Sequence, residues 1–307
     1  MNDRLGRRDF LRSAALAATG SSMLGAPSIT RFARAIEPIR RGGGAKFKFS
    51  LAAYSYRDLL NAKPAKATLE DFITACAMMQ LEGTELTSYY FPPDFTPDYL
   101  RRLKQLAFDL GLDISGTAVG NDFCLPPGEK RDREIAHVKK WVDYAEILGA
   151  PVIRIFSGNA AKEMSVEEAH RLAVAGMEEC CQYAGQHGVY LALENHGGLT
   201  ATADGILALV RDVKSPWFAV NLDTGNFNTA DPYADLAKLA PYAVNVQVKV
   251  SIHPQGGKRQ PADMRRLARI LTESGYRGYI VLEFEEPGDP KTECPKFVDQ
   301  MRRAFLG

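Results

Sequence analysis

The chain runs to 307 residues, 46% hydrophobic and 24% charged, proportions ordinary for a globular protein that buries a large core without disulfide or metal staples. Its 38 Lys and Arg against 37 Asp and Glu leave a formal net charge of +1. That balance argues against nucleic acid or an anionic membrane surface as the main partner, since both ask for a basic excess.

In chain order, Arg7 and Arg8 come first, followed by Asp9, Phe10, Leu11 and Arg12 and a weakly apolar run rich in Ala, Gly and Ser. The run is too short and too broken to predict a spanning helix. The pattern resembles the twin-arginine export signal. Ala33-Arg34-Ala35 offers a small-x-small cleavage site that would leave Ile36 as the first mature residue. The resemblance implies the twin-arginine export machinery as a partner and a periplasmic destination, with membrane anchoring where the signal is not removed. Export of a folded chain would keep thiols reduced and let a metal be loaded in the cytoplasm. Residues 1–35 are thus read as a signal peptide, 36–46 as a linker carrying Arg40, Arg41 and three glycines, and 47–307 as one domain.

From there the chain alternates short apolar runs with longer amphipathic ones. A β-like run at 46–53 precedes helical periodicity at 68–80, where Leu69, Phe72, Ile73 and Ala77 share a side. Strand 83–86 leads to helix 98–110, strand 113–118 to helix 129–148, and strand 152–156 to helix 165–187. Strand 190–194 leads to helix 203–213, strand 218–222 to helix 232–239, strand 243–250 to helix 262–274, and strand 279–284 to a closing helix at 294–305. The runs YLALE and YIVLEF are near-continuous and apolar, as in a parallel sheet buried on both faces. Gly111, Gly149, Gly188 and Gly275 stand just before strands, where a helix ends in a left-handed residue. About eight strand-then-helix units, without hairpins and without a Gly-rich phosphate turn after the first strand, predict a single (β/α)8 TIM barrel in preference to a doubly wound open sheet. Cys76, Cys124, Cys180, Cys181 and Cys294 are odd in number, fit no zinc-ribbon spacing, and read as buried thiols.

Barrel chemistry belongs at the C-terminal ends of the strands, so the polar residues there form a short list. Glu85 closes strand two, placed to bind substrate or to pair with Arg154 at the end of strand four. Glu194-Asn195-His196 ends strand five, and Asn221 through Asn226 end strand six. Asn245, Gln247 and Lys249 alternate along strand seven and share a face; Glu283 and Glu285 do so on strand eight, Glu285 as a salt-bridge partner. Glu194, Asp223 and Glu283 would converge on the mouth, and three carboxylates together need a cation or shared protons. One divalent metal held by Glu194, Asp223, Gln247 and Glu283 is the simplest solution. Its all-oxygen shell favours Mn²⁺ or Mg²⁺ over Zn²⁺. Of the histidines, only His196 and His253 follow strands, too few for a multi-zinc site.

LENHGG after strand five, NLDTGNF after strand six and YIVLEFE at strand eight resemble the sugar phosphate isomerase/epimerase group of xylose isomerase-like TIM barrels, over residues 47–305. The resemblance implies Glu194, Asp223 and Glu283 as metal ligands. Gln247 stands where the group has a strand-seven His, and Asn226 where a His often follows the Asp. His196 would contact substrate hydroxyls, completing a substrate-binding set of Glu85, His196, Asn226 and Lys249. The implied chemistry is proton transfer between Glu194 and Glu283, with a metal-stabilised enediolate and with Lys249 steadying the developing oxyanion.

The sequence therefore reads as an isomerase or epimerase of a sugar or keto-polyol, with a small carbohydrate as substrate, no nucleic-acid partner, and homo-oligomerisation left open. A lyase or dehydratase on a related keto-sugar would use the same enolising site. A non-catalytic sugar-binding barrel is the alternative of a different class. Endonuclease IV-like repair is disfavoured by the export signal, the near-zero charge and the scarcity of strand-end histidines.

Overall fold

The computed structural model describes residues 36–307; the expected export signal and cleavage site lie outside the described residues. Eight strands are hydrogen-bonded in the order β1-β8-β7-β6-β5-β4-β3-β2 and close into a barrel, each neighbouring pair parallel. They are β1 Lys46–Ala52, β2 Gly83–Thr87, β3 Asp113–Ala118, β4 Val152–Ile155, β5 Tyr190–Glu194, β6 Phe218–Asp223, β7 Ala243–Val248 and β8 Arg277–Leu282. The helices that follow them are α1 Leu69–Met78, α2 Pro97–Asp109, α3 Glu129–Leu148, α4 Val166–Gln186, α5 Ala203–Asp212, α6 Pro232–Leu239, α7 Met264–Glu273 and α8 Pro290–Phe305. The (β/α)8 expectation holds for every unit.

Alternation along the strands decides which side chains meet the helices. Leu191 and Leu193 of β5, Val220 and Leu222 of β6, Val246 and Val248 of β7, and Ile280 and Leu282 of β8 all belong to the apolar cluster between barrel and helices. Each such side chain contributes roughly 1.5–3 kcal/mol when fully buried. The residues between them, Ala192, Asn221, Asn245, Gln247 and Val281, are equally buried but point the other way, into the barrel. The strands are buried on both faces, as their composition required, yet the inner face is substantially polar. Register shifts at Thr84/Glu85 and at Val220/Asn221 fall where two buried polar residues, Glu85 and Asn221, occur. Irregularities of this kind re-aim a side chain.

Local signals fix the helix ends. Thr68 and Asp71 form a reciprocal capping box on α1, and Ser165 caps α4 by accepting from the Glu168 N–H at 3.1 Å. Helix α8 starts four residues before its expected position, because Asp289 accepts from the Lys291 N–H at 3.0 Å and Pro290 sits preorganised at the first helical position. Strands seven and eight stop two residues short of expectation, leaving Lys249 and Glu283 just beyond them. A two-stranded ribbon, Ser251–Ile252 against Gln260–Pro261, follows β7 and was not expected. Residues 36–45 have no helix or strand, but they are tied down: the Ile39 N–H donates to the Pro241 carbonyl at 2.9 Å, and Arg41 lies over the Tyr276 ring.

All five cysteines are free and buried. Burial pushes the thiols of Cys76, Cys124, Cys180 and Cys294 up to about 12, so they pack as small apolar groups and do not react as thiolates. Among the described residues, no helix is long and apolar enough to cross a membrane.

Candidate active site

Strands β5 and β6 end on Glu194 and Asp223, and the next residue along, Asn195, locks the two ends together. Its side chain donates to the Asp223 carbonyl and accepts from the Asp223 N–H, both at 2.8 Å, continuing the ladder where the strand itself has finished. The Asp223 carboxylate accepts through Oδ1 from the N–H groups of Gly225 and Asn226, at 2.8 and 3.0 Å. Asn226 in turn donates its side-chain amide to Glu194 Oε1 at 2.8 Å. The other oxygen of Glu194 faces Arg154 of β4, Nε to Oε2 at 2.8 Å, an ion pair whose N–H is not aimed at the oxygen.

Lys249 supplies the second cation. Its ammonium stands 2.8 Å from Glu283 Oε2, 2.8 Å from Glu285 Oε1 and 3.2 Å from Asp223 Oδ2. The Lys249 side chain is only 9% exposed, so these contacts act in a medium far less screening than water. Lys249 and Glu285 thus pair as salt-bridge partners, and Lys249 also bridges two of the acids the sequence placed at the mouth.

Glu85 and Gln247 belong to a separate layer. Register sets Gln247 beside Asp223. Its amide nevertheless turns across the barrel and donates to Glu85 Oε1 at 2.7 Å, while its carbonyl accepts from Asn221 at 2.7 Å. Asn245 donates to Glu85 Oε2 and to Asn221 Oδ1, both at 2.8 Å, closing a four-residue ring. Glu85 pairs with these amides and makes no salt bridge to Arg154. His196 is exposed, its ring against Phe156 at 4.6 Å between centroids.

These surroundings separate the acids. Burial raises Glu194 to about 8; Arg154 opposes the rise, and the charges of Asp223 and Glu283 add to it. Burial likewise raises Asp223 to about 7, against Lys249, and Glu85 to about 7, against the amide donors of Gln247 and Asn245. Glu283 goes the other way: burial pushes it up, but the charge and hydrogen bond of Lys249 outweigh that and hold it below the ordinary carboxylate range. For Lys249, burial is outweighed by Asp223, Glu283 and Glu285, which keep the ammonium charged.

Four carboxylates, Glu194, Asp223, Glu283 and Glu285, thus face two cations, Arg154 and Lys249, and Asp223 Oδ2 is buried with the Lys249 ammonium 3.2 Å away but not in hydrogen-bond geometry. Charge and donor type at Glu194, Asp223 and Glu283 suit a hard divalent cation. Gln247, the expected fourth ligand, here turns its amide to Glu85 and Asn221 instead of to the three acids. Among the described residues, no three His, Cys, Asp or Glu side chains already form a ligand cage; Lys249 stands among the acids instead.

A family model described as the xylose isomerase-like TIM barrel matches residues 73–303. The chain belongs to that family. No curated protein matches the sequence. Among solved structures, this xylose isomerase-like barrel is similar to D-psicose 3-epimerase from Clostridium cellulolyticum H10, at 17% identity and a TM-score of 0.70, over 84% of this chain and 99% of that one. It is similar to an L-ribulose 3-epimerase at 17% identity and a TM-score of 0.71, over 84% and 94% of the two chains. A probable 3-DHS dehydratase of petrobactin synthesis from Bacillus anthracis matches at 16% identity and a TM-score of 0.63, over 85% and 99%. Likeness at these identities establishes the fold.

Asn195, Asn221 and Asn245 are site residues for which the sequence predicts no role, and Arg154 pairs with Glu194 where the strand-end pattern pairs it with Glu85. The asparagines carried one usable signal: all three lie on or next to strands at inward positions, where an amide must find partners.

Proposed function

We propose that this barrel is an isomerase or epimerase that removes a carbon-bound proton beside the carbonyl of a keto-sugar or keto-polyol and returns one, through an enediolate, to the opposite face of the same carbon or to its neighbour. One observation carries the reading: two buried carboxylates at the mouth, Glu194 and Glu283, stand at the ends of different strands and have different partners, Arg154 and Asn226 on the first and the Lys249 ammonium on the second. Groups whose environments push their pKa values apart are suited to divide acid and base roles. Glu283, kept ionised by Lys249, takes the carbon-bound proton. Glu194, whose carboxyl burial raises, returns a proton from its own side. Lys249 lies where it can donate to an oxyanion as charge develops. Asn226 and Arg154 fix the two oxygens of Glu194, and the Asn195 clasp fixes Asp223.

Glu194, Asp223 and Glu283 would hold one divalent ion, Mn²⁺ or Mg²⁺ ahead of Zn²⁺, since every donor is an oxygen. Such an ion would supply Lewis-acid polarisation of the substrate carbonyl. His196, at the exposed rim, would meet substrate hydroxyls. Arg7-Arg8 and the apolar run after them support an exported, periplasmic setting for the reaction.

The test is a panel of ketoses and keto-polyols incubated in D₂O with Mn²⁺ or Mg²⁺ and followed by NMR. Deuterium entering at one carbon without change of skeleton supports the reading. No incorporation with any compound refutes it. The dehydratase among the similar structures supports a second reading, β-elimination from the same enolate. That reading predicts loss of the mass of water from the product, where epimerisation only inverts a centre.

A further inference from the structure

Beside the carboxylates, the chain builds a cleft that the proton-transfer chemistry does not use. Strand β1 runs into a turn at Ala53–Tyr56 and a short helical turn at Arg57–Leu60, and β2 runs into a turn at Ser88–Tyr90. Between these loops lies a cleft of about 570 Å³ walled by Tyr54, Tyr89 and Tyr90, with Arg57, Asp58 and Asn61 completing it. That size falls inside the roughly 300–1,000 Å³ common for small-molecule sites.

The three rings form an open corner. Tyr54 and Tyr90 lie 6.5 Å apart between centroids at 50°, and Tyr89 and Tyr90 lie 6.2 Å apart at 76°, so none is stacked flat on another. Tyr89 stays 44% exposed. Among the exposed large hydrophobic side chains described, it is the one on a turn that directly follows a barrel strand. Tyrosine offers an apolar face and a polar tip, which suits a ligand with both C–H faces and hydroxyls. Asp58 and Asn61 add further hydrogen-bonding groups to the wall.

The cleft adjoins the acids on two sides. Arg57 donates to the Phe284 carbonyl at 2.8 Å and to the Glu285 carbonyl at 3.2 Å, and lies over the Tyr54 ring at 5.3 Å, which ties this wall to the end of β8. Tyr89 reaches toward Arg154, the partner of Glu194. Charge decides what enters. Arg57 is the cation on this wall, and both of its terminal nitrogens are committed to backbone carbonyls, so the cleft offers little to a phosphate, while Asp58 and the nearby Glu285 disfavour any anion.

We propose that this cleft is a second sugar subsite: the substrate is a keto-glycoside whose reacting, carbonyl-bearing ring lies at Glu194 and Glu283 and whose second, uncharged ring rests in the corner of Tyr54, Tyr89 and Tyr90. The place of the reacting ring rests on the proton-transfer reading; the binding of the second ring does not.

The experiment measures binding of cellobiose, maltose, methyl β-D-glucopyranoside and glucose 6-phosphate to the full chain by calorimetry and saturation-transfer NMR. At least one disaccharide should bind about tenfold more tightly than the methyl glucoside, equivalent to about 1.4 kcal/mol. Glucose 6-phosphate should gain nothing over the methyl glucoside. Tyr89→Ala should erase the disaccharide advantage, and Tyr89→Phe should keep most of it. Asn61→Trp, which fills the cleft from an exposed position, should erase it without touching the carboxylates. Equal affinities throughout, or variants that weaken both ligand classes alike, overturn the subsite. Deuterium exchange on ketoses separates this from the parent reading. Exchange without any disaccharide preference removes the cleft and leaves the chemistry; preference without exchange on any substrate does the reverse.

Discussion

Lys249 of the β7 end donates to Glu283 of the β8 end at 2.8 Å, and the charge and hydrogen bond of that contact, with the charge of Arg154 behind them, hold Glu283 below its ordinary range against burial. Replacing the lysine by methionine keeps much of its length and removes the charge. Glu283 then loses the partner that ionises it, and the buried acids must hold protons instead. Lys249→Met is expected to cut proton exchange about 10²–10⁴-fold, the range for losing a positioned acid or base. It should cost about 3–5 kcal/mol of stability at neutral pH, as when one partner of a buried pair is removed. Deuterium incorporation and urea unfolding measure the two effects. Wild-type values for both would show that the contact does not control the acids.

The other acids set the pH dependence. Glu194, Asp223 and Glu85 have folded-state pKa values raised by burial to about 8, about 7 and about 7. A raised carboxylate binds its proton more tightly in the folded state. Its stabilisation is therefore complete below the unfolded value, near 4, and is lost as pH climbs through 7 to 8. Glu283, depressed, contributes in the opposite sense, losing its share as pH falls. With three groups against one, chelated protein should lose on the order of several kcal/mol between about pH 5 and pH 8. Added Mn²⁺ or Mg²⁺ should flatten that slope by compensating the ionised acids. Denaturant unfolding across the window is the measurement; stability that rises with pH there would reverse the assignment.

The sequence made the barrel legible because period and punctuation agreed at every unit. Gly111, Gly149, Gly188 and Gly275 all adopt the positive φ expected of them, and near-continuous apolar runs such as YLALE marked strands buried on both faces. The positions of Glu194, Asp223 and Glu283 were legible too, since strand ends in a barrel point to one mouth. The partners were not. Which amide a buried glutamine faces depends on the register between strands distant in the chain, and on two register irregularities that no local pattern announces. Gln247 reads from its strand position as a ligand, and nothing local announces that Glu85, 162 positions away, is its hydrogen-bond partner. The same long-range packing hid the Arg154–Glu194 pair.

Gly225 shows how tightly Lys249 is seated. A Cβ there would fall 2.6 Å from Lys249 Cβ, 2.8 Å from its Cγ and 2.8 Å from the Ser251 carbonyl oxygen. The carbonyl belongs to the ribbon after β7, so the lysine stem must give way and carry its ammonium off Glu283. Gly225→Ala is expected to cost about 1–3 kcal/mol, as overpacking does, and to lower exchange about tenfold or more. Gly44→Ala, where a Cβ meets nothing within 4 Å, serves as the control and should stay within about 0.5 kcal/mol of wild type.

Gln247→Glu separates the two roles available to that residue. If residue 247 coordinates an ion, a carboxylate there strengthens the shell, and Mn²⁺ affinity should rise. The ring geometry predicts the contrary. The new carboxylate would replace an amide donor 2.7 Å from Glu85 Oε1, so two acids would confront each other in a fully buried layer. They can coexist only by sharing a proton. The variant should therefore unfold more easily than wild type by about 2–4 kcal/mol near pH 8, where that proton is hardest to keep, and by much less near pH 5. Metal titration should show no gain in affinity. Tighter Mn²⁺ binding with unchanged stability at pH 8 would restore Gln247 to the ligand set and place the Glu85 ring second in importance.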